Sequence, residues 1–147
     1  MANKKFAVYS LADVRAVINN PSVGQCVLSD AGGGKITISY TGDMSSHTTT
    51  ANGYVVINKM RAKNGTIALE LPQNSDADMF MRRWTAYLDN GAAQSFADTT
   101  LTVFDNAAGR TITAVGVTPQ KRPDINYDQT SGTVGYALLA AEISDTW

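Results

Sequence analysis

The residues with the chemistry of a catalytic or metal site are few and scattered. His47 is the single histidine, and it lies in a serine- and threonine-rich run without cysteine or acidic residues at metal-ligand spacing. Ser45 and Ser46 precede it, but neighbours in sequence do not build a Ser-His-Asp triad, and no Gly-x-Ser-x-Gly motif is present. The prediction for His47 is an exposed imidazole in a loop.

The other reactive residue types also have structural explanations. Cys26 is the single cysteine, and its apolar neighbours predict a small, buried side chain. Glycines 32–34 are not followed by the Lys-Ser/Thr pair and the helix of a phosphate-binding loop. Glu70 is on the polar face of a predicted strand, where a solvated carboxylate is expected. The sequence therefore predicts no enzyme, no metal site and no cofactor.

Composition narrows the class of protein further. The 147 residues suit one domain, spanning 1–147, and carry a net charge of −1. Without a basic excess, a domain that grips nucleic-acid phosphates is disfavoured. With one cysteine, no intramolecular disulfide forms. We expect neither a signal peptide nor a membrane span, because no long apolar run is present.

Alternating apolar and polar residues predict most of the secondary structure. In residues 35–40, Ile36 and Ile38 share one face of a strand, and Lys35, Thr37 and Ser39 share the other. Residues 13–18 predict a strand, with a short helix from residue 11 as the alternative. The remaining strands are predicted at 24–29, 53–58, 66–71, 99–103, 110–115 and 133–143. The last is apolar on both faces, which predicts burial on both sides.

Two connections and one helix complete the prediction. The polar stretch 41–52 is longer than an ordinary hairpin loop and is therefore a candidate functional loop, and Asn64-Gly65 resembles a hairpin turn. Ser75 is a helix N-cap. The helical spacing predicts an apolar stripe of Ala77, Phe80, Met81, Trp84 and Leu88. The opposite side is predicted to hold Asp78, Arg82, Thr85 and Asp89.

These elements predict a mainly β fold, a sandwich or barrel of about seven strands with one α-helix packed against it. The order of the segments also resembles contractile-tail phage tube proteins. Residues 9–19 are similar to their Tyr-Ser/Pro-x-Asp-Val opening strand, although Asn20-Pro21 stands in place of the usual turn glycine. Residues 51–55 resemble their hairpin strand, and 65–78 resemble their strand-to-helix junction, with Asp78 where Asn is common.

The resemblance implies a structural role. Tube subunits form a homo-hexamer, and the rings stack around a lumen that holds a tape measure protein and then passes DNA without specific binding. Sheath, baseplate and tail-terminator proteins are the implied partners, with no membrane. The implied location is the virion, after synthesis in the host cytoplasm.

The same resemblance implies three sets of contact residues. The ring-stacking candidates are Asp43, Met44, Ser45, Ser46 and His47. The lumen-facing candidates are Lys35, Thr37, Ser39, Asn58 and Lys59. The sheath-facing candidates on the helix are Asp78, Arg82 and Asp89.

Other functions are also compatible with the sequence. A type VI secretion tube or a phage-derived bacteriocin tube would share the fold and the ring but carry other cargo. A monomeric carbohydrate-binding sandwich would need exposed aromatic residues on one strand face or an acidic calcium cluster, and the sequence offers neither pattern.

Overall fold

The computed structural model describes residues 10, 13–28 and 35–146. The predicted loop at 30–34, the start of the alternative helix at residue 11 and the first residues of the opening segment lie outside the described residues. Residues 14–20 form a strand, as the alternation predicts.

The described part of the chain contains eleven strands, one α-helix and one 3-10 turn. They are β1 Val14–Asn20, β2 Gly24–Val27, β3 Lys35–Tyr40, β4 Ser45–Thr49, β5 Val55–Lys59, β6 Gly65–Pro72, α1 Asp76–Asn90, the turn Ala93–Ala97, β7 Thr100–Asp105, β8 Arg110–Val115, β9 Thr118–Pro119, β10 Thr133–Ala140 and β11 Glu142–Thr146. The mainly β class with one helix is confirmed. The estimate of about seven strands is too low, because β4 and β9 are short and lack apolar alternation, and because the sequence predicts β10 and β11 as one strand.

The strands form three antiparallel sheets. One has the order β11-β8-β7-β1-β2, a second has β3-β6-β10-β9, and the third is the pair β4-β5. The first two sheets and α1 enclose a single hydrophobic core. Its largest fully buried side chains include Trp84, Ile18, Ile67, Leu101 and Leu138.

The predicted loop 41–52 is wrong in its middle part. Ser45–Thr49 forms β4 and pairs with β5, so the connecting turn falls at residues 50–54. Thr50 N–H donates to the Tyr54 carbonyl oxygen at 2.8 Å, and Gly53 supplies the positive φ of 76° that this turn requires. Exposed threonines suit a strand without producing apolar alternation, which is why the sequence pattern missed β4.

The prediction of one long final strand buried on both faces is also wrong. Val134, Tyr136 and Leu138 of β10 are buried, whereas Leu139 is 39% exposed. The chain leaves this sheet at Ala141 and continues as β11 in the other sheet, beside β8. The predicted hairpin turn at Asn64-Gly65 is wrong as well. Gly65 is the first residue of β6, and β6 pairs with β3 and β10.

Helix α1 follows its predicted pattern closely. Ser75 caps the helix, and its hydroxyl accepts a hydrogen bond from the Asp78 N–H at 3.2 Å. All five predicted stripe residues are buried: Ala77, Phe80, Met81, Trp84 and Leu88. The stripe packs the helix against the core, with contacts to β2 and β6.

A buried polar cluster joins this helix to the five-stranded sheet. The Thr99 hydroxyl accepts hydrogen bonds from Trp84 Nε1 at 2.9 Å and from Asn20 Nδ2 at 3.0 Å. Asn20 Oδ1 in turn accepts from the Ser22 and Val23 N–H groups at 2.9 and 3.1 Å. Asn20 therefore holds the β1–β2 turn without a glycine at position 21.

Replacing Thr99 with valine is expected to destabilise the fold by about 3 kcal/mol, because two buried donors lose their acceptor. Chemical denaturation followed by tryptophan fluorescence measures the change. Thr99→Ser keeps the hydroxyl and is expected to lose clearly less. Equal losses for the two variants would contradict this prediction, because replacing the hydroxyl would then cost no more than removing the methyl group.

Candidate assembly surfaces

The β4–β5 hairpin is the part of the described structure that packs least against the rest. Its strands pair with each other alone, and nearly every residue from Asp43 to Lys59 is exposed. Isolated two-stranded hairpins are marginal in water. The hairpin is therefore expected to depend on a contact outside this chain.

The side chains of this hairpin support that expectation. Both faces carry apolar residues, with Val55 and Ile57 on one and Val56 on the other. Ile57 and Tyr54 are each 71% exposed, and Met44 is 87% exposed. Several exposed apolar side chains on one hairpin are typical of a protein–protein contact.

The structure brings two of the predicted residue sets together on this hairpin. The ring-stacking candidates Asp43, Met44, Ser45, Ser46 and His47 are all exposed at or along β4. Ser45 lies opposite Lys59, and Ser46 lies opposite Asn58. Asn58 Nδ2 donates to the hydroxyls of Ser46 and Thr48 at 3.3 and 3.0 Å. Asn58 and Lys59 therefore belong to the same surface as the stacking candidates, separate from β3.

The other three lumen candidates lie on the outer face of the four-stranded sheet. Lys35, Thr37 and Ser39 are exposed on β3, while Ile36 and Ile38 are partly buried against the core. Their neighbours on this face of β6 and β10 are mostly small, including Ala68, Gly135 and Ala137. We refer to this surface as the outer sheet face.

Both edges of this sheet have unpaired backbone. Strand β3 is one edge. At the other, the two-residue strand β9 pairs only with Leu138 and Leu139 of β10. Beyond it, the Gln120 N–H donates to the Ala137 carbonyl oxygen at 2.9 Å, and residues 121–127 then continue without strand pairing. A sheet with two open edges is a template for pairing with further chains.

The third predicted set, on α1, is only partly at the surface. Asp78 is fully buried, so its assignment to an outward, sheath-facing position is wrong. Its Oδ1 accepts a 2.6 Å hydrogen bond from the Tyr136 hydroxyl, and its Oδ2 accepts from the Asn74 N–H at 3.0 Å. These partners hold it against the sheet. Burial and this hydrogen bond together raise the pKa of Tyr136, which keeps the phenol protonated.

Arg82 and Asp89 lie at the helix surface. Arg82 Nη2 is 3.2 Å from Asp78 Oδ2, an ion-pair distance whose angles do not make a hydrogen bond. Asp89 is exposed and forms a 2.6 Å ion pair with Arg122. A cleft of about 300 Å³ lies between these two regions, bounded by Arg82, Thr85, Ala86, Arg122, Pro123, Ile125 and Tyr136.

The described part of the chain offers no metal site. No group of three or more His, Cys, Asp or Glu side chains lies there in a metal-binding arrangement. Cys26 is partly buried, and burial raises the pKa of its thiol, which disfavours the nucleophilic thiolate. No described helix is long and apolar enough to cross a membrane.

Comparison with known families decides the identity of the fold. The sequence profile of the family described as Bacteriophage PhiTE tail tube protein matches residues 6–146. The chain belongs to this family. A comparison with curated proteins gives no match.

Solved structures agree with the family at the level of fold. A chain of the sheath/tube terminator of the PVC extracellular contractile injection system is 12% identical, covering 100% of each chain with a TM-score of 0.58. The anti-feeding prophage cap is 10% identical over 99% of this chain and 95% of its own, with a TM-score of 0.61. A chain of the PVC sheath-tube complex is 12% identical over 90% and 88%, with a TM-score of 0.55.

Sequence reasoning missed one feature of these surfaces. The sequence predicts a strand at 53–58 but does not single out its exposed apolar residues, which are the main candidate contact. The signal was available in the four consecutive apolar residues 54–57, which follow a polar run and leave neither face polar.

Proposed function

We propose that this chain is a structural, non-enzymatic subunit of the phage tail tube, and that it assembles into stacked hexameric rings around the channel for DNA ejection. The observation that carries the proposal is the unsupported β4–β5 hairpin with apolar residues on both faces. Membership of a tail tube family supplies the kind of assembly in which such a hairpin is buried.

The open sheet edges supply the contact within a ring. The β3 edge of one subunit would meet the β9–β10 edge of the next. Because these are two different surfaces, the contact is head-to-tail, and a rotation that closes gives a ring. Closure leaves no unpaired edge, which also removes a route to aggregation.

The hairpin supplies the contact between rings. Ser45, Ser46 and His47 on β4, with Asp43 and Met44 before it, form one side of the contact. Val55 and Ile57 on β5 provide the apolar area, which is exposed in the single subunit. Asn58 and Lys59 are the cross-strand neighbours of Ser46 and Ser45, so we place them in the same contact.

The outer sheet face is then the wall of the lumen, with Lys35, Thr37 and Ser39 pointing inward. Helix α1 lies on the other side of this sheet, where Arg82 and Asp89 are available to sheath, baseplate or terminator proteins. The tape measure protein and then DNA occupy the lumen without specific binding. In this proposal the protein resides in the virion after synthesis in the host cytoplasm.

Negative-stain electron microscopy of the purified protein at several concentrations tests this proposal. We expect rings or hollow tubes with six-fold symmetry. Rings of another symmetry would overturn the hexamer and retain the tube. Monodisperse monomers at every concentration would contradict the proposal.

A second candidate cargo is protein rather than DNA, as in a type VI secretion tube or a phage-derived bacteriocin. The fold similarity to chains of extracellular contractile injection systems supports this second candidate. Purification of the particles that contain the tube distinguishes the two cargoes, because nuclease-protected DNA together with capsid protein is expected only for a phage.

A further inference from the structure

The four strands of the outer sheet face contain two charged residues. Lys35 is the first residue of β3, and Glu70 lies near the end of β6. Strands β9 and β10 contain none. Both side chains are exposed, so both point away from the core and onto the same face.

These two residues are direct cross-strand partners. The antiparallel register of β3 and β6 places Lys35 opposite Glu70, with Ile36 opposite Leu69 beneath them. Directly opposite residues have Cβ atoms about 4.5–5.5 Å apart. Because the two side chains start from adjacent points on this face, their opposite charges largely cancel at the distance of a passing DNA duplex.

Among the described strands of this face, no further residue compensates the charge of Lys35. The neighbours of Glu70 along β6 and across on β10 are Ala68 and Gly135, which are uncharged and small. A cleft at the β10 edge adds one residue of each sign, Lys121 and Asp124. Removing Glu70 alone would therefore leave a net positive face.

We infer that Glu70 is the residue that prevents the lumen from holding DNA, by neutralising Lys35. This inference rests on the proposed function, in which the face lines a hexameric channel. In that arrangement each ring presents six lysines to the passing duplex, and Glu70 masks every one. Phosphate binding releases condensed counterions. Unmasked lysines in successive rings would therefore bind DNA together, with an affinity that falls as the salt concentration rises.

In the test, assembled tubes are mixed with a fluorescent 20-base-pair DNA duplex, and the amount of duplex that sediments with the tubes is measured. Wild-type tubes are expected to retain little duplex. Glu70→Gln tubes are expected to retain it at least about tenfold more strongly at low salt and to release it as salt rises. Lys35→Gln and the double variant Lys35→Gln/Glu70→Gln are expected to behave as wild type.

Asp89→Asn is the matched control, because it makes the same change of charge on α1, on the other side of the sheet. Equal retention by this variant and by Glu70→Gln would assign the binding to the outside of the tube and overturn the inference. Retention by Glu70→Gln at the wild-type level would overturn it as well. Glu70→Thr removes the same charge with a residue suited to exposed strands, and provides a second reading if Glu70→Gln assembles poorly.

The failure of this inference is separable from the failure of the proposed function. Tubes are counted by electron microscopy before any DNA is added. If wild-type protein forms no tubes, the proposed function fails. If tubes form and Glu70→Gln tubes do not hold the duplex, only the role of Glu70 fails.

Discussion

Replacing Ile57 with lysine is expected to abolish ring stacking and tube formation while leaving the unfolding of the single subunit nearly unchanged. Ile57 is 71% exposed, so the lysine removes no core contact. In the stacked tube the same position is expected to be covered, and an unpaired ammonium buried there is strongly unfavourable. Electron microscopy measures tube formation, and thermal unfolding of the unassembled protein measures stability.

Met79→Lys is the control for this prediction. Met79 is also an exposed apolar residue, at 51%, but it lies on α1, away from the hairpin. It is expected to leave tubes intact. Normal tubes from Ile57→Lys would remove the hairpin from the ring contact, and a large loss of subunit stability would show that Ile57 supports the fold instead.

The elements that the sequence predicts well are those whose pattern is set by their own burial. Strand β3 and helix α1 each have one buried and one solvated face, so alternation and helical spacing locate them. Strand β4 has no buried face in the subunit, and its hydroxyl residues produce no pattern. Strand β10 has apolar residues on both faces, although one face is covered only in part. Local periodicity does not distinguish a covered face from one that awaits a partner.

The candidate site shows the same limit. The exposed residues of β3 and of the hairpin could be selected from alternation and loop length. The pairing of Lys35 with Glu70 depends on the register between β3 and β6, which pattern alone leaves free. The prediction that Asp78 faces outward is wrong for a related reason. Asp78 flanks the apolar stripe of α1, and its burial depends on Tyr136, which is 58 residues away in sequence.

Asp78→Ala is expected to destabilise the subunit by about 3 kcal/mol, because the buried Tyr136 hydroxyl and the Asn74 N–H both lose a charged acceptor. For a domain of this size the melting temperature would fall by roughly 10 °C. Arg82 adds to this loss, because its Nη2, which lies 3.2 Å from Asp78 Oδ2, is buried although the side chain as a whole is 36% exposed. Differential scanning calorimetry measures both quantities.

Asp76→Ala provides the matched comparison. Asp76 is in the same first turn of α1 but is exposed, so its loss removes only a favourable helix-dipole interaction of about 0.3–1 kcal/mol. Tyr136→Phe tests the partner. If the hydrogen bond dominates, the double variant Asp78→Ala/Tyr136→Phe loses less stability than the sum of the single changes. Strict additivity would place the effect of Asp78 in the turn at Asn74, where it would act as part of the helix cap rather than as the link between α1 and β10.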